Sequence, residues 1–203
     1  MVQRLKPEVR QRILDAAALV FAEDGFEKAR LADIAKRAGT VTSNLYKYFK
    51  NKEEVFYAVV PPSHAAQLLR LLRARLRELE ARGDWLESDQ KDWPAAQAQL
   101  DFWVSERLSV LILLRGANGT RYDHIRDLFI KEMERQTLNY LRKNSGLADP
   151  DEHLNFILRR QFTRTAEMIV DILECYCERS DIEATLTHFW RFQLAGLSHL
   201  LKG

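Results

Sequence analysis

The sequence predicts an all-α protein, in which an amino-terminal helix-turn-helix domain of three helices precedes a larger helical domain. Apolar residues recur at helical spacing along most of the chain, and no strand-like alternation persists. Glycine and proline residues separate the helical segments, as they commonly do at helix ends. Residues 25–52 combine two short helical patterns with a glycine between them, which is the arrangement of a helix-turn-helix.

The first predicted helix begins near Pro7, because proline is tolerated in the first turn of a helix. Gly25 ends it, and Phe26 can pack back on the last turn. Its apolar face consists of Val9, Ile13, Ala16, Ala17, Val20 and Phe21.

The next two helices form the helix-turn-helix. The second helix begins near Leu31 and ends before Gly39, where a left-handed residue carries no steric cost. In the third helix, Leu45 and Phe49 are four residues apart and anchor it to the core. We therefore expect the remaining side chains of this helix to face outward.

Those outward side chains suit DNA. Thr42, Ser43 and Asn44 are short and hydrogen-bonding; asparagine suits adenine, whereas serine and threonine accept several partners. Phosphate contacts position such a protein, while base contacts specify its site. The candidates for phosphate contacts are Tyr46, Lys47, Tyr48 and Lys52.

The run from Ile13 to Val55 resembles the TetR family of bacterial transcriptional regulators. The resemblance rests on the segments ILDAAALVFAEDGF, DIAKRAG and LYKYFKNKEEV, about a quarter of the chain. It implies a homodimer that binds a palindromic operator in double-stranded DNA. It also implies a helix-turn-helix domain over residues 1–52 and a helical ligand-binding and dimerisation domain over residues 53–203.

The sequence departs from the family pattern around the helix-turn-helix. Ala29 stands where the family usually has a threonine that caps the second helix and touches phosphate, and alanine cannot cap. Arg30 beside it is either a solvated charge or a replacement for that phosphate contact. Val41 replaces a usual serine, which leaves Thr40 or Thr42 as the expected cap of the third helix.

Asn51 is expected to cap a fourth helix, with Glu54 three residues later as in a capping box. Pro61 and Pro62 should break this helix near Val60, because a residue before proline is driven from helical geometry. The break is either an ordinary turn between helices or a hinge between the two domains.

The rest of the chain predicts a loop at 83–94 and helices at 95–115, 121–144, 151–177 and 181–201. Aromatic and flexible apolar residues on these helices can form a core or a ligand pocket. Gln161 and Thr165 lie in an apolar stripe, so they need a polar partner in a ligand or a mate helix. The candidate ligand-binding residues are Trp103, Arg107, Phe129, Met133, Gln161, Phe162, Thr165 and Met168.

The last helix has apolar residues on two sides, so it must pack on more than one partner. The resemblance implies that the last two helices pair with their mates in a four-helix bundle, with Gly196 permitting close approach. The candidate interface residues are Leu186, Phe189, Gly196, Leu197 and Leu200.

Composition agrees with a local DNA site on a near-neutral body. Residues 1–52 hold 11 Lys/Arg and 6 Asp/Glu, a net charge of +5, although the whole chain carries only +2. No signal-like core and no apolar run of about 18 residues is found, which favours a cytoplasmic protein without membrane contact. Buried packing is the default expectation for Cys175 and Cys177, and redox sensing is the alternative.

The sequence thus favours a transcriptional regulator, most simply a repressor that a small apolar molecule releases from DNA. The alternative is a DNA-binding protein of the same fold that answers to a protein partner. An enzyme is disfavoured because no phosphate loop, nucleophile elbow or paired metal-ligand motif is present, and neither a metal nor a cofactor is expected.

Overall fold

The computed structural model describes residues 6–82, 92–144 and 151–202, and these form ten α-helices without a strand. The predicted all-α class is confirmed. In chain order the helices are α1 (Pro7–Lys28), α2 (Leu31–Arg37), α3 (Thr42–Leu45), α4 (Lys52–Val59), α5 (Pro62–Arg82), α6 (Pro94–Ser105), α7 (Arg107–Gly116), α8 (Ile125–Asn144), α9 (Glu152–Cys175) and α10 (Arg179–Lys202). Within the described ranges no helix is long and apolar enough to cross a bilayer.

The chain forms two compact units whose bounds differ from the predicted division at residue 52. The first unit holds residues 1–66 and 108–125, and the second holds 67–107 and 126–203. The segment 108–125 joins the first unit through contacts that are distant in sequence. The guanidinium of Arg115 donates to the carbonyl of Ala22, and the backbone N–H of Arg121 donates to the Tyr57 hydroxyl at 3.0 Å.

An aromatic cluster forms the centre of the first unit. The ring of Phe56 on α4 meets Phe21 and Phe26 of α1 at centroid distances of 5.2 and 5.1 Å, both edge-on. All three side chains are buried. In the sequence, Gly25 stands between Phe21 and Phe26. Its φ is 73°, so α1 is kinked there and the Phe26 ring turns back onto the cluster. The predicted helix end at Gly25 therefore takes the form of a kink.

The helix-turn-helix has the predicted layout. After α2, Gly39 adopts φ 65°, and the backbone N–H of Thr40 donates to the Ala35 carbonyl at 2.9 Å. The following helix, α3, is only four residues long and continues as a series of turns to Phe49. Leu45 and Phe49 are both buried, as their spacing predicted.

The fourth helix begins and ends at the predicted positions. The side chain of Asn51 accepts a hydrogen bond from the backbone N–H of Glu54 at 2.8 Å, and the Glu54 carboxylate accepts one from Lys50 N–H at 2.7 Å. The helix stops before Val60, which is extended at φ −118° and ψ 80°, and α5 starts at Pro62. The break at the two prolines is confirmed, whereas its role as a hinge stays a prediction.

Two of the predicted helix bounds were wrong. Residues 95–115 form two helices, α6 and α7, because Glu106 leaves helical geometry at φ −111° and ψ 31°. Helix α8 starts at Ile125 instead of 121. The hydroxyl of Thr120 donates to the Ala117 carbonyl at 2.7 Å and accepts from Tyr122 N–H, which fixes a turn there. The predicted loop at 83–94 lies mostly outside the described residues.

Two expectations about burial were also wrong. Cys175 and Cys177 are exposed, because α9 ends at Cys175 and the chain leaves the core. The second is the expectation that the arginines around the leucine stripe of residues 68–79 are solvated, since Arg75 among them is 8% exposed. Its guanidinium lies over the Trp93 ring at 4.9 Å from the centroid and pairs with Glu78 at 3.1 Å.

Lys52 performs a structural role, and its predicted phosphate contact stays a prediction. Its ammonium donates to the carbonyls of Phe26, Glu27 and Ala29 at 2.6, 3.2 and 3.1 Å, and it lies over the Phe26 ring at 4.4 Å. An ammonium has three N–H donors, and all three are used here. The positive charge also suits the carboxyl end of α1.

We expect Lys52→Met to lower the free energy of unfolding by about 1–3 kcal/mol, because it removes charged hydrogen bonds and leaves carbonyls unsatisfied. The measurement is urea denaturation of the variant against the unaltered protein. Lys47→Met, which changes an exposed lysine in the same unit, is the control and should shift stability by less than about 0.5 kcal/mol. Equal effects of the two variants would contradict the structural role of Lys52.

Candidate functional site

The face of α3 opposite its buried anchors is open to solvent. Val41 and Tyr46 are 63% and 54% exposed, and Ser43 and Lys47 are also exposed. These side chains flank Asn44, which is half-buried. The structure therefore leaves Ser43, Tyr46 and Lys47 exposed around Asn44, and their contact with DNA stays a prediction.

Asn44 is positioned by a hydrogen bond within the helix-turn-helix. Its side-chain nitrogen donates to the Thr40 hydroxyl at 2.9 Å. Helix α3 has Val41 at its N-cap and no side-chain cap bond, so the expectation that Thr40 or Thr42 caps it was wrong. Thr40 instead holds the Asn44 amide, which reduces the rotamer freedom that binding would have to remove.

The other predicted phosphate contacts occupy different environments. Arg30 is exposed at the N-cap of α2, where its role on phosphate stays a prediction. The Tyr48 hydroxyl accepts a hydrogen bond from Lys6 N–H at 3.2 Å, so it also holds the start of α1.

An ion pair joins α2 to α1. A hydrogen bond from Arg37 holds the pKa of the Glu23 carboxyl below its ordinary value.

The second unit contains a cavity with about 820 Å³ of empty space, which includes open solvent at its mouth. Most of its lining is apolar. The lining residues are Leu72, Arg75, Leu76, Leu79, Glu80, Gln99, Trp103, Phe129, Met133, Gln136, Thr137, Tyr140, Phe162, Thr165, Trp190, Gln193, Leu194 and Leu197.

Five of the eight predicted ligand-binding residues line this cavity: Trp103, Phe129, Met133, Phe162 and Thr165. The other three do not. Gln161 is connected to the lining through Gln193, and Arg107 donates to the Leu173 carbonyl at 2.5 Å. Met168 is 42% exposed, because it lies on the solvent side of α9.

Sequence reasoning missed Gln99 and Gln193, which are both 5% exposed and line the cavity. The sequence could have marked both as buried polar residues. Gln99 is four residues before Trp103, and Gln193 lies one residue before Leu194 in an apolar stretch. A polar residue on an apolar face requires a partner. The same argument had identified Gln161 and Thr165.

A chain of hydrogen bonds connects α9 to α10 beside the cavity. The side-chain nitrogen of Gln161 donates to the side-chain oxygen of Gln193 at 2.7 Å. Gln193 donates to the Thr165 hydroxyl at 3.1 Å, and that hydroxyl donates to the Gln161 carbonyl at 3.0 Å. Both Gln161 and Thr165 thus find a partner within the chain, without a ligand or a mate helix.

The charged residues of the cavity wall each have an opposite charge beside them. Arg75 pairs with Glu78 at 3.1 Å, and burial lowers the pKa of this guanidinium. Glu80 pairs with Lys143 at 2.6 Å. Glu78 also accepts a hydrogen bond from the backbone N–H of Ala95 at 3.2 Å, which satisfies the start of α6. The wall therefore presents little uncompensated charge.

The predicted dimer-interface residues do not form one exposed surface. Leu186 is buried within the chain and Leu197 lines the cavity. Phe189 stacks on Trp190 at 4.9 Å, while Gly196 is exposed and a Cβ there would meet no atom within 4 Å. The side chain of Leu200 lies outside the described residues. Intrachain packing uses Leu186 and Leu197, which the sequence alone assigned to a partner.

Other apolar side chains of α9 and α10 are exposed instead. Phe192 is 77% exposed, and Phe156, Ile157 and Met168 are between 42% and 57% exposed. Isolated exposed apolar residues are ordinary, but several large ones on two adjacent helices mark a candidate interaction surface.

Comparison with known proteins shows what the helix-turn-helix region is similar to. Residues 13–59 match the model of bacterial regulatory proteins, tetR family. The fatty acid metabolism regulator protein of Bacillus subtilis (strain 168) is 30% identical over 110 residues, which cover 54% of this chain and 48% of that protein. The chain spans about half the length of the curated relatives it matches.

Solved structures share the fold over nearly the whole chain. A TetR-like transcriptional regulator from Rhodococcus sp. RHA1 has a TM-score of 0.55 at 23% identity and covers 95% of this chain and 100% of its own. A TetR family transcriptional regulator from Chloroflexus aurantiacus J-10-FL has a TM-score of 0.56 at 16% identity, with coverage of 98% and 94%. At such identities the likeness establishes the all-helical fold.

We expect the Gln161–Gln193 bond to stabilise the second unit, and a double-mutant cycle measures it. Gln161→Leu and Gln193→Leu should each cost about 1–3 kcal/mol, because each leaves the other amide without its partner. Their combined effect should be non-additive by about 0.5–3 kcal/mol. As the control, Gln136→Leu combined with Gln161→Leu should add within about 0.5 kcal/mol. Additivity in both pairs would contradict the bond.

Proposed function

We propose that this chain, which belongs to the TetR family through its amino-terminal domain, is a ligand-responsive transcriptional repressor that binds DNA as a homodimer. The observation that carries the proposal is the exposed face of α3, held by buried Leu45 and Phe49. A short helix with polar side chains outward and apolar anchors inward is the form in which a helix-turn-helix enters the major groove.

Three side chains on this face are proposed to read bases. Asn44 is the principal one, because Thr40 already fixes its amide at 2.9 Å. Thr42 and Ser43 lie beside it and supply hydroxyls of less strict preference. Lys47, Tyr46 and Arg30 are exposed and are proposed to contact phosphates. The Tyr48 hydroxyl accepts from Lys6 N–H and can still donate its own hydrogen to a phosphate, whereas Lys52 uses its three N–H groups within the chain.

Control by a small molecule is supported by the cavity in the second unit. A filled core would favour regulation by a protein partner, whereas an apolar cavity with a few polar groups is the usual form of a small-molecule site. A ligand weakens operator binding only if it prefers the DNA-incompetent form of the protein. A tenfold loss of operator affinity requires about 1.4 kcal/mol of such preference.

The proposed homodimer is supported by the exposed apolar residues of α9 and α10. We assign the interface to the surface around Phe192, Met168 and Ile157, with Gly196 permitting close approach. This surface is displaced from the predicted one, since Leu186 and Leu197 are used within the chain. Two-fold symmetry in the protein would be matched by a palindromic operator.

Base reading is tested by Asn44→Ala, which should relax base preference at its position in each half-site by about 1–3 kcal/mol. Lys47→Ala is the contrasting variant. It should weaken binding to all sequences alike and reduce the salt slope by about one. The measurement is selection of binding sites from random DNA, followed by titration at several salt concentrations. An unchanged set of selected sites for Asn44→Ala would refute this placement of the recognition helix.

Dimerisation is tested by Phe192→Glu, which places a charge where we assign the interface. Because Phe192 is 77% exposed, the change should leave the protomer folded but dissociate the dimer, as burial of an unpaired charge is costly. Analytical ultracentrifugation at micromolar concentration gives the assembly state. Leu128→Glu, an equal change at an exposed apolar residue of α8, is the control and should remain dimeric. A dimeric Phe192→Glu protein would move the interface elsewhere.

A further inference from the structure

The indole nitrogen of Trp103 is a buried donor without a protein acceptor. Trp103 is 1% exposed and lines the cavity, and its Nε1 has no hydrogen-bond partner among the described residues. An indole N–H can only donate. Buried donors in native proteins are nearly always paired, so we expect an acceptor from outside the described residues to meet this N–H.

The other polar groups of the wall are arranged differently. Thr165 and Gln193 already exchange hydrogen bonds with each other and with Gln161. Gln99 lies four residues before Trp103 on α6, so the two side chains share one face of this helix, and both line the cavity. The α6 wall is therefore where a ligand's polar atom meets an available donor.

The charges of the wall select against an ionic ligand. Arg75 and Glu80, the two charged lining residues, are each paired with an opposite charge, at 3.1 and 2.6 Å. A carboxylate in the cavity would give up its hydration, and the Arg75 guanidinium that it could meet already has its charge balanced by Glu78. This is unfavourable in an apolar site, because burying an uncompensated charge costs far more than burying a neutral polar group.

We infer that the cavity binds a neutral, largely apolar compound that carries an uncharged oxygen acceptor, which accepts a hydrogen bond from Trp103 Nε1. Gln99 supplies a second polar contact on the same wall. This inference rests on the ligand-controlled function proposed above and narrows its ligand to ketones, esters, ethers or similar neutral oxygen compounds. It separates them from fatty acids, which are carboxylates at neutral pH.

The test uses matched probes that differ only at the polar group. The alkyl set is 2-undecanone, its isostere 2-methyl-1-undecene, and decanoate. The aromatic set is 2-acetylnaphthalene, 2-isopropenylnaphthalene and 2-naphthoate. Binding of each to the full chain without DNA is measured by equilibrium dialysis. In at least one set the ketone should bind about tenfold more tightly than both its hydrocarbon isostere and its carboxylate, the factor that one hydrogen bond contributes.

Trp103→Phe identifies the donor, since it keeps an aromatic ring and removes the N–H. In this variant the ketone should lose its advantage over the isostere, while Trp190→Phe, which changes the other lining indole, should retain it. The comparison in the unaltered protein decides the question even where Trp103→Phe folds poorly. Preference for a carboxylate, equal binding of ketone and isostere, or no binding in either set would each overturn the inference.

Operator binding distinguishes this inference from the proposed function. The same ketone is titrated into the complex of the protein with its selected operator. Release of DNA supports both. Tight binding of the ketone without any change in operator affinity would preserve the ligand class and refute ligand control. Loss of operator binding in all conditions would refute the regulator, while the dialysis result would still decide the chemistry of the cavity.

Discussion

The first unit depends on the fact that a helix of four residues cannot be stable alone. Nucleating a helical turn fixes several backbone angles for one hydrogen bond, so α3 exists only because other elements hold it. Leu45 and Phe49 give it two buried anchors. The aromatic contacts of α1 and α4 and the Lys52 ammonium at the end of α1 make the surrounding frame rigid. These contacts therefore hold α3 in place with its polar side chains toward solvent.

Features with a local cause could be predicted from the sequence. Gly39 ends α2 because glycine accepts positive φ, the Asn51 side chain caps α4, and Pro61–Pro62 breaks the chain between α4 and α5. The break at Glu106 and the late start of α8 had no such marker. The turn before α8 is fixed by the Thr120 hydroxyl, which donates to the Ala117 carbonyl. The contact of Lys52 with residues 26–29 joins segments about 25 positions apart, and no spacing rule reveals it.

The cavity residues show the same limit of prediction from sequence spacing. Phe162 and Thr165 were correctly placed among lining residues, but Met168, the next position at helical spacing, faces solvent. Periodicity identifies a face of a helix without saying what covers each part of it. The predicted dimer residues show the same limit, because α10 has apolar residues on more than one side and periodicity does not say which side a partner covers. Leu186 and Leu197 serve the chain's own packing, and Phe192 is left exposed.

Charge is distributed to match these two roles. In the second unit the buried Arg75 is paired with Glu78, and the half-buried Glu80 is paired with the exposed Lys143, so their fields largely cancel. Residues 1–52 keep a net charge of +5, with Arg30 and Lys47 exposed. A positive field confined to one end attracts a polyanion locally and falls within a Debye length of about 8 Å at physiological salt. Such a field orients an encounter with DNA, while the neutral cavity wall leaves ligand choice to shape and hydrogen bonding.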